Sequence, residues 1–398
     1  MLMNVPRATA VLERERLNGV IATTIENVGY LTGFFDPNFC MFRGIQEYCV
    51  LEAGQAMPGW LILPRFDLDH VAAAPPRVKE IVSFGTFFYG SPGDTPLNDF
   101  ERRLAALAVA ASPASPLDAI SNVIAQTRLQ RIGVDERGMF PAVLDGLRAR
   151  FPERELVPAS HLFSEIRAVK TSEEIARLER AVQITEDAIS TCLRGARPGI
   201  TEREMTEEFE IALLRQGARP WFSPTPSIVG FGRWSVGVNR PADVHPLLPG
   251  DHIRFDVGCL FQGYYSDIAR TFCFGVPSPK LASVYHAIHA GQEVALQSIE
   301  VGIKASDVFE RAMATARAEG LPGFSRQHVG HGIGLEVNEQ PIINPKTPQA
   351  LEAGMVLDVE LAYYEPGFGG VHVEDTLVVT EDGHRKLTRM SRDLVRLA

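Results

Sequence analysis

The chain has 398 residues, 45% of them hydrophobic, and a formal net charge of −10. That length predicts two domains or one large one with an ample core. The acidic balance argues against a nucleic-acid or anionic-membrane partner. No apolar run approaches the roughly 20 residues that span a bilayer, and the opening MLMNVPRATAVLERERLNG puts charges where a signal peptide needs an apolar stretch. The five cysteines are odd in number and lack zinc or redox spacing, which fits reduced thiols and a cytoplasmic location.

In chain order, residues 7–19 read as a helix and 19–23 as a strand, with a turn-rich segment at 30–35. Residues 49–51 and 60–64 read as neighbouring strands, 66–74 as a short helix and 82–84 as a strand. An Ala/Leu-rich helix over 98–112, a strand at 131–135 and a helix at 141–150 follow. This alternation predicts a smaller α/β domain over residues 1–160. A second pattern fills 161–398. Thr171-Ser172-Glu173-Glu174 and Thr201-Glu202-Arg203-Glu204 both have the form of a capping box ahead of a helix. Helices are expected at 279–299 and 306–319, and strands at 355–363 and 371–379. Long helices with hairpins predict an α+β fold with an antiparallel sheet.

Between the second capping box and these helices stands PGDHIRFDVGCLFQGYYSDIARTFCF, residues 249–274. It reads as two apolar strands joined by a tight turn near Phe261 and Gln262, which sets Asp256 opposite Asp267. Opposed side chains sit about 4.5–5.5 Å apart at Cβ, where like charges repel. Two facing acids in an apolar hairpin call for a shared proton or a cation, and a metal suits them better. The plainer alternatives are a turn-capping Asp256 and an Asp267 paired with Arg270. A one-residue slip would also send one acid to the other face.

Further on, QHVGHGIG brings His331 into a glycine-rich segment, where the backbone approaches a bound group closely. The apolar strand MVLDVE carries Asp358 and Glu360, and VHVED carries Glu374 on the same face as His372. Acids are disfavoured inside strands, so their recurrence in apolar ones is informative. Four carboxylates and one histidine suit two divalent ions bridged by two of the carboxylates.

Taken in order, the motifs GD…FDVG, YYSDIARTF, GHGIGL, GMVLDVE and VHVEDTLVVTEDG resemble the pita-bread metallopeptidase superfamily of methionine aminopeptidase, aminopeptidase P, prolidase and creatinase. They span roughly residues 160–385. The NVGYLTGF segment is similar to the small N-terminal domain of the creatinase, prolidase and aminopeptidase P members. The resemblance implies a pita-bread catalytic domain over 161–398 and a creatinase-type domain over 1–160. It also implies two divalent ions (manganese, cobalt, zinc or iron), with Asp256 chelating one, Asp267 and Glu374 bridging, and His331 and Glu360 binding one ion each. A homodimer is implied too, with the small domain of one subunit reaching towards its partner's site. The chemistry would be hydrolysis of a peptide-like C–N bond by a shared, activated water, with Glu360 as general base and then acid. Asp358 and Arg270 are candidates to orient the ligands.

Two histidines usual in the peptidases of this superfamily are replaced here, by Asn338 in Asn338-Glu339-Gln340-Pro341 and, by count, by Asn239. Leu361 stands where proline is usual, and His372 replaces a usual arginine. Asparagine donates hydrogen bonds but carries no proton near neutral pH. His245, His328 and His372 are the candidates to supply an imidazole, and Asn239, Asn338, His331, His372 and Glu360 form the expected catalytic set. A substrate that is a short peptide, Xaa-Pro above all, is the first reading. A non-peptidase member acting on a small nitrogenous compound, or a lyase such as dimethylsulfoniopropionate lyase, is the second, and a binding protein on an inactive scaffold the third. Phe231, Arg233 and Trp234 are expected near the pocket, and Phe42, Arg43 and Tyr48 of a partner subunit are expected to reach it.

Overall fold

The strand Gly19–Ala22, buried at all four positions, lies inside a six-stranded mixed sheet. The computed structural model describes residues 2–42, 44–91, 93–221 and 228–398. Across the sheet the order is Glu80–Phe84, Trp60–Pro64, Tyr48–Glu52, Gly19–Ala22, Arg131–Val134, Glu155–Pro158. The two pairings on either side of Tyr48–Glu52 are antiparallel and the others parallel. Ile21, Val50 and Ile62 meet Ile120, Val123 and Ile124 of the helix Pro116–Gln126 in one apolar core. The segment expected to be turn-rich is in fact the end of a helix, Ile25–Thr32. Thr24 caps it by accepting from the Asn27 amide, and Gly33, at φ 73°, ends it in the left-handed conformation that glycine adopts without strain.

This first compact unit runs from Met1 to Arg167, and the second from Ala168 to Ala398. The division falls later than residue 160 because the helix Ser160–Ala168 is tied into the first unit. Arg14 makes a two-pronged ion pair with Glu165, at 2.6 and 2.8 Å, and Arg167 donates to Asn27 at 2.9 Å.

The first unit buries Asp36, Glu47 and Asp67 together. His70 Nδ1 is 3.0 Å from Asp36, and Asn38 donates to Asp67 at 2.6 Å. Burial, with the charge of Asp36 adding to it and Asn38 opposing it, pushes the Asp67 carboxyl up to about 6, against about 3.9 in an unfolded chain. The folded state therefore holds more protons than the unfolded state between those values, and stability falls as pH rises through them. Asp67→Asn is expected to flatten this fall. Backbone hydrogen exchange of the strand Trp60–Pro64 between pH 4 and pH 7 measures it, and an unchanged slope in the variant would reject Asp67 as the source.

In the second unit both capping boxes form. The side chains of Thr171 and Thr201 accept from the amides of Glu174 and Glu204, whose carboxylates accept in return. The helices Pro279–Gln297 and Ala305–Ala318 bury Ile288, Ala295 and Met313 against Leu357, Val359 and Leu361 of the strand Val356–Glu365 and Val371 and Val373 of Gly369–Thr380. These strands lie in a five-stranded sheet ordered Glu339–Ile342, Gly330–Gly332, Val356–Glu365, Gly369–Thr380, Gly383–Lys386. Strand side chains alternate between faces. With Leu357, Val359 and Leu361 turned to the helices, Asp358 and Glu360 face the other way, as do His372 and Glu374. No helix among the described residues is long and apolar enough to cross a membrane.

Candidate metal centre

The strands His252–Val257 and Ile268–Phe274 pair antiparallel, with Asp256 opposite Ala269. Phe261 faces Tyr264 across the two-residue turn Gln262-Gly263, whose φ values of 50° and 87° are those of a type I′ hairpin turn. The expected placement of Asp256 directly opposite Asp267 is therefore corrected. The turn falls one residue later than expected, because Gly263 takes its second left-handed position. Pairing then shifts by two residues, which preserves strand parity. Both acids stay on one face, and both line a cavity of about 1170 Å³.

The opposite wall comes from the five-stranded sheet. His331 pairs with Asp358, and Glu360 with Glu374. Gly330 has φ 147°, and a Cβ there would lie 2.2 Å from the Asp358 carbonyl oxygen, so only glycine lets the His331 strand approach this closely. His331 Nδ1 donates to the Gly332 carbonyl at 3.0 Å. That fixes the tautomer and leaves Nε2 a lone pair facing the acids, 4.0 Å from Asp267 Oδ2. Burial holds His331 below its ordinary value, hence neutral as a ligand must be.

Asp267, His331, Asp358 and Glu374 each offer a ligand atom, all within 4.8 Å of one another, and all four residues are buried. Burial first, then their mutual repulsion and that of Glu360, pushes Asp267, Asp358 and Glu374 well above the ordinary carboxylate range. Asp267 Oδ1, Glu374 Oε2 and both oxygens of Asp358 have no hydrogen-bond partner among the described residues. Such groups cost several kcal/mol each when ionised in a dry interior. A divalent cation removes that cost, and three carboxylates with one imidazole are a donor set that fits it.

Asp256 and Glu360 also line the cavity, but each already faces cations. Arg254, a fully buried side chain, reaches Asp256 Oδ2 at 2.8 Å and also donates to the carbonyls of Ser235 and Gly237 at 3.0 and 2.7 Å. His372 lies between the two acids, 3.4 Å from Asp256 Oδ2 and 2.8 Å from Glu360 Oε2. Burial would depress its imidazole, but Asp256 and Glu360 overcome this and raise it to about 9. Arg326 meets Glu360 Oε2 at 2.6 Å, and His328 Nδ1 lies 3.2 Å from Oε1. Against burial, Arg326 with His372 and His328 holds Glu360 far below the ordinary range. His328 itself is kept below its usual value by burial.

Of the expected catalytic set, Asn239, Asn338, His331, His372 and Glu360 all line the cavity, as does His328. His245 is instead stacked on Trp234, ring centroids 3.7 Å apart, outside the described lining. Phe231 is buried in its strand and Arg233 and Trp234 are exposed away from the lining, where Val238 and Asn239 stand in their place. Tyr48 is buried within the first unit's sheet and so presents nothing to a partner subunit, whereas Phe42 is exposed. Arg43 lies outside the described residues.

Arg270 touches no candidate ligand's carboxylate. It donates to the Glu374 carbonyl and pairs with Asp375 at 2.5 Å, fixing the strand that presents Glu374. Sequence reasoning missed Arg254 and Arg326. The first had a signal, an arginine two positions from an acid in an apolar strand and therefore on its face. The second had none.

Residues 176–381 match metallopeptidase family M24, and residues 5–169 the creatinase/prolidase N-terminal domain. The chain is 32% identical to the uncharacterized peptidase YqhT of Bacillus subtilis over 267 residues, 67% of this chain and 75% of that protein. It is 30% identical to a Xaa-Pro dipeptidase of Lactobacillus delbrueckii over the same length, 67% of this chain and 72% of that one. Among solved structures, a prolidase from Thermococcus sibiricus superposes with a TM-score of 0.79 at 24% identity, covering 99% of this chain and 98% of the other. With the fold, the buried acid–imidazole cluster and these matches in agreement, the chain belongs to metallopeptidase family M24, in the pita-bread superfamily, with a creatinase/prolidase N-terminal domain ahead of its catalytic domain.

Proposed function

We propose that this protein is a metal-dependent hydrolase of the C–N bond of short peptides, Xaa-Pro dipeptides first among them. The observation that carries this reading is the buried Asp267, His331, Asp358 and Glu374 cluster opening into a cavity lined also by Asp256, Glu360 and His328. The Xaa-Pro dipeptidase activity named for the Lactobacillus relative supports the substrate class. Two ions belong to this reading, as the resemblance implies, and Asp256, Asp267 and Glu374 would be among the residues that hold them.

Ions bound there supply Lewis acidity for the attacked carbonyl and lower the pKa of attacking solvent. The chain's own residues manage the protons. His328 Nδ1, 3.2 Å from Glu360 Oε1 and without a hydrogen-bond partner among the described residues, belongs to an imidazole kept neutral by burial, which is able to take the proton from solvent and return it to the departing nitrogen. Arg326 and His372 hold the Glu360 carboxylate in place from the other side. Arg254 and His372 do the same for Asp256.

The decisive experiment is turnover of a panel of Xaa-Pro dipeptides by enzyme stripped with chelator and reloaded with manganese, cobalt, zinc or iron. Cleavage that returns with metal supports the proposal, and absence of turnover with metal bound rejects the peptidase. A second reading, a small nitrogenous substrate or lyase chemistry on the same centre, is favoured by Asn239 and Asn338, which line the cavity and carry no proton. The same panel decides against it if dipeptides are cleaved.

A homodimer completes the reading. Met41 and Phe42, 68% and 50% exposed on the small unit, are apolar surface that a partner subunit would cover. A cytoplasmic location suits the buried free thiols of Cys49, Cys192, Cys259 and Cys273.

A further inference from the structure

We infer that the first unit carries a divalent-cation site of its own, built from Asp36, Glu47, Asp67 and His70 and suited to zinc or manganese. All four residues lie within Met1–Arg167, so the inference goes beyond the metallopeptidase centre and does not depend on it.

Ligand atoms of Asp36, Asp67 and His70 lie within 4.8 Å of one another. Asp36 caps the helix Pro37–Met41, Asp67 ends the short 3-10 helix Arg65–Asp67, and His70 sits on the next helix, Leu68–Ala73. Three such groups alone make no site. What sets them apart is Glu47, from a further segment just ahead of the strand Tyr48–Glu52. It is 1% exposed, and neither of its oxygens has a hydrogen-bond partner among the described residues. Burial first, then the adjoining Asp36 and the charge of Asp67, pushes its carboxyl well above the ordinary range, so Glu47 lies against both acids.

The unused lone pairs belong to one group. Asp36 Oδ1 accepts from the Asn38 amide at 2.8 Å, and Asp67 Oδ1 from the Asn38 side chain at 2.6 Å. One asparagine thus orients both carboxylates, as the outer partner of a metal ligand does. Asp36 Oδ2, Asp67 Oδ2 and both oxygens of Glu47 are left buried and without partners among the described residues. A single shared proton joins only two of these oxygens. Among the described residues no lysine or arginine pairs with the three acids. Arg65, two positions before Asp67, spends its guanidinium on the carbonyls of Phe87 and Ala110, 3.0 Å from each. One divalent ion meets all three carboxylates and displaces the protons they hold, and three carboxylates with one imidazole suit zinc or manganese. His70, its side chain 31% exposed, gives the ion a way in from solvent. The loss of stability with rising pH expected above through Asp67 is then a property of the metal-free protein. Asp36 and Glu47 also flank segment 37–46, which carries the exposed Met41 and Phe42, so an ion held by both pins the base of that segment.

The test adds zinc to chelator-stripped full-length protein near neutral pH and reads backbone hydrogen exchange of residues 44–52 and 65–73. The parent is Asp267→Asn, which disables the cluster of the second unit. With zinc at about ten times its Kd, exchange of both segments should slow about tenfold. Asn38→Ala in the same parent should weaken the zinc affinity by about 10–100-fold, and Glu47→Gln and His70→Gln by more. Glu47 is buried, so His70→Gln, on a part-exposed side chain, decides the matter should the glutamine variant at position 47 not fold. Zinc protection that is absent from the parent, or undiminished in His70→Gln, would overturn the site and leave the acids sharing protons.

Discussion

Asp267→Asn is expected to abolish function while making the metal-free protein more stable. Asparagine is nearly isosteric but supplies no charge, and Asp267 is among the residues that would hold the ions. Loss of several kcal/mol of transition-state charge stabilisation corresponds to about three decades in kcat/KM at roughly 1.36 kcal/mol per decade. Stability should move the other way. Burial and neighbouring acids hold the Asp267 carboxyl well above its ordinary range, so the folded metal-free state is penalised at neutral pH wherever that group ionises. Removing the charge raises the Tm of the stripped protein and erases the further rise that metal gives the wild type. A variant with unchanged metal affinity would show that Asp267 is not a ligand. One less stable than stripped wild type would show that its charge is compensated by the protein itself.

Arg270→Met is expected to produce the largest loss of stability. The guanidinium is 1% exposed and pairs with Asp375, which is itself fully buried, and its remaining donors meet the carbonyls of Ala269, Glu374, Met390 and Ser391. Breaking a buried pair by removing one partner costs about 3–5 kcal/mol, and the low end applies here because Arg392 Nε, 3.4 Å from Asp375 Oδ2, compensates part of the remaining charge. For a unit of this size that is a fall in Tm of roughly 10 °C. Thr388 and Gln292 keep bonds to Asp375 at 2.6 and 3.2 Å, so Asp375→Asn in the same chain should restore part of the loss. Urea unfolding of metal-free protein reads both, and a single-variant loss under about 1 kcal/mol would mean that water replaces the guanidinium without penalty.

The parts of this molecule that local chemistry dictates were readable in advance. Thr171 and Thr201 each stand three residues before a glutamate, and both helix starts form as that spacing requires. Leu357, Val359 and Leu361 alternate with Asp358 and Glu360, so period two alone sends the acids to the face away from the helices. The exact hairpin register was not readable, because Phe261-Gln262 and Gln262-Gly263 are both short and only the left-handed preference of Gly263 separates them. The helix Ile25–Thr32 was obscured by glycines. One of them, Gly29, is there for packing, since a Cβ would meet the Phe35 ring at 2.1 Å. Least readable was the pairing of Glu360. It depends on Arg326, which arrives from a distant loop, and no pattern within the strand announces it.

Arg254 ties the two sides of the cavity together. Its guanidinium is at once the counter-charge of Asp256 and the anchor of the Ser235 and Gly237 carbonyls, two residues short of Asn239 at the cavity wall. A displacement of that wall is therefore transmitted to the acid through one rigid planar group. The placing of the Asn239 wall and the placing of the Asp256 carboxylate thus form a single mechanical linkage.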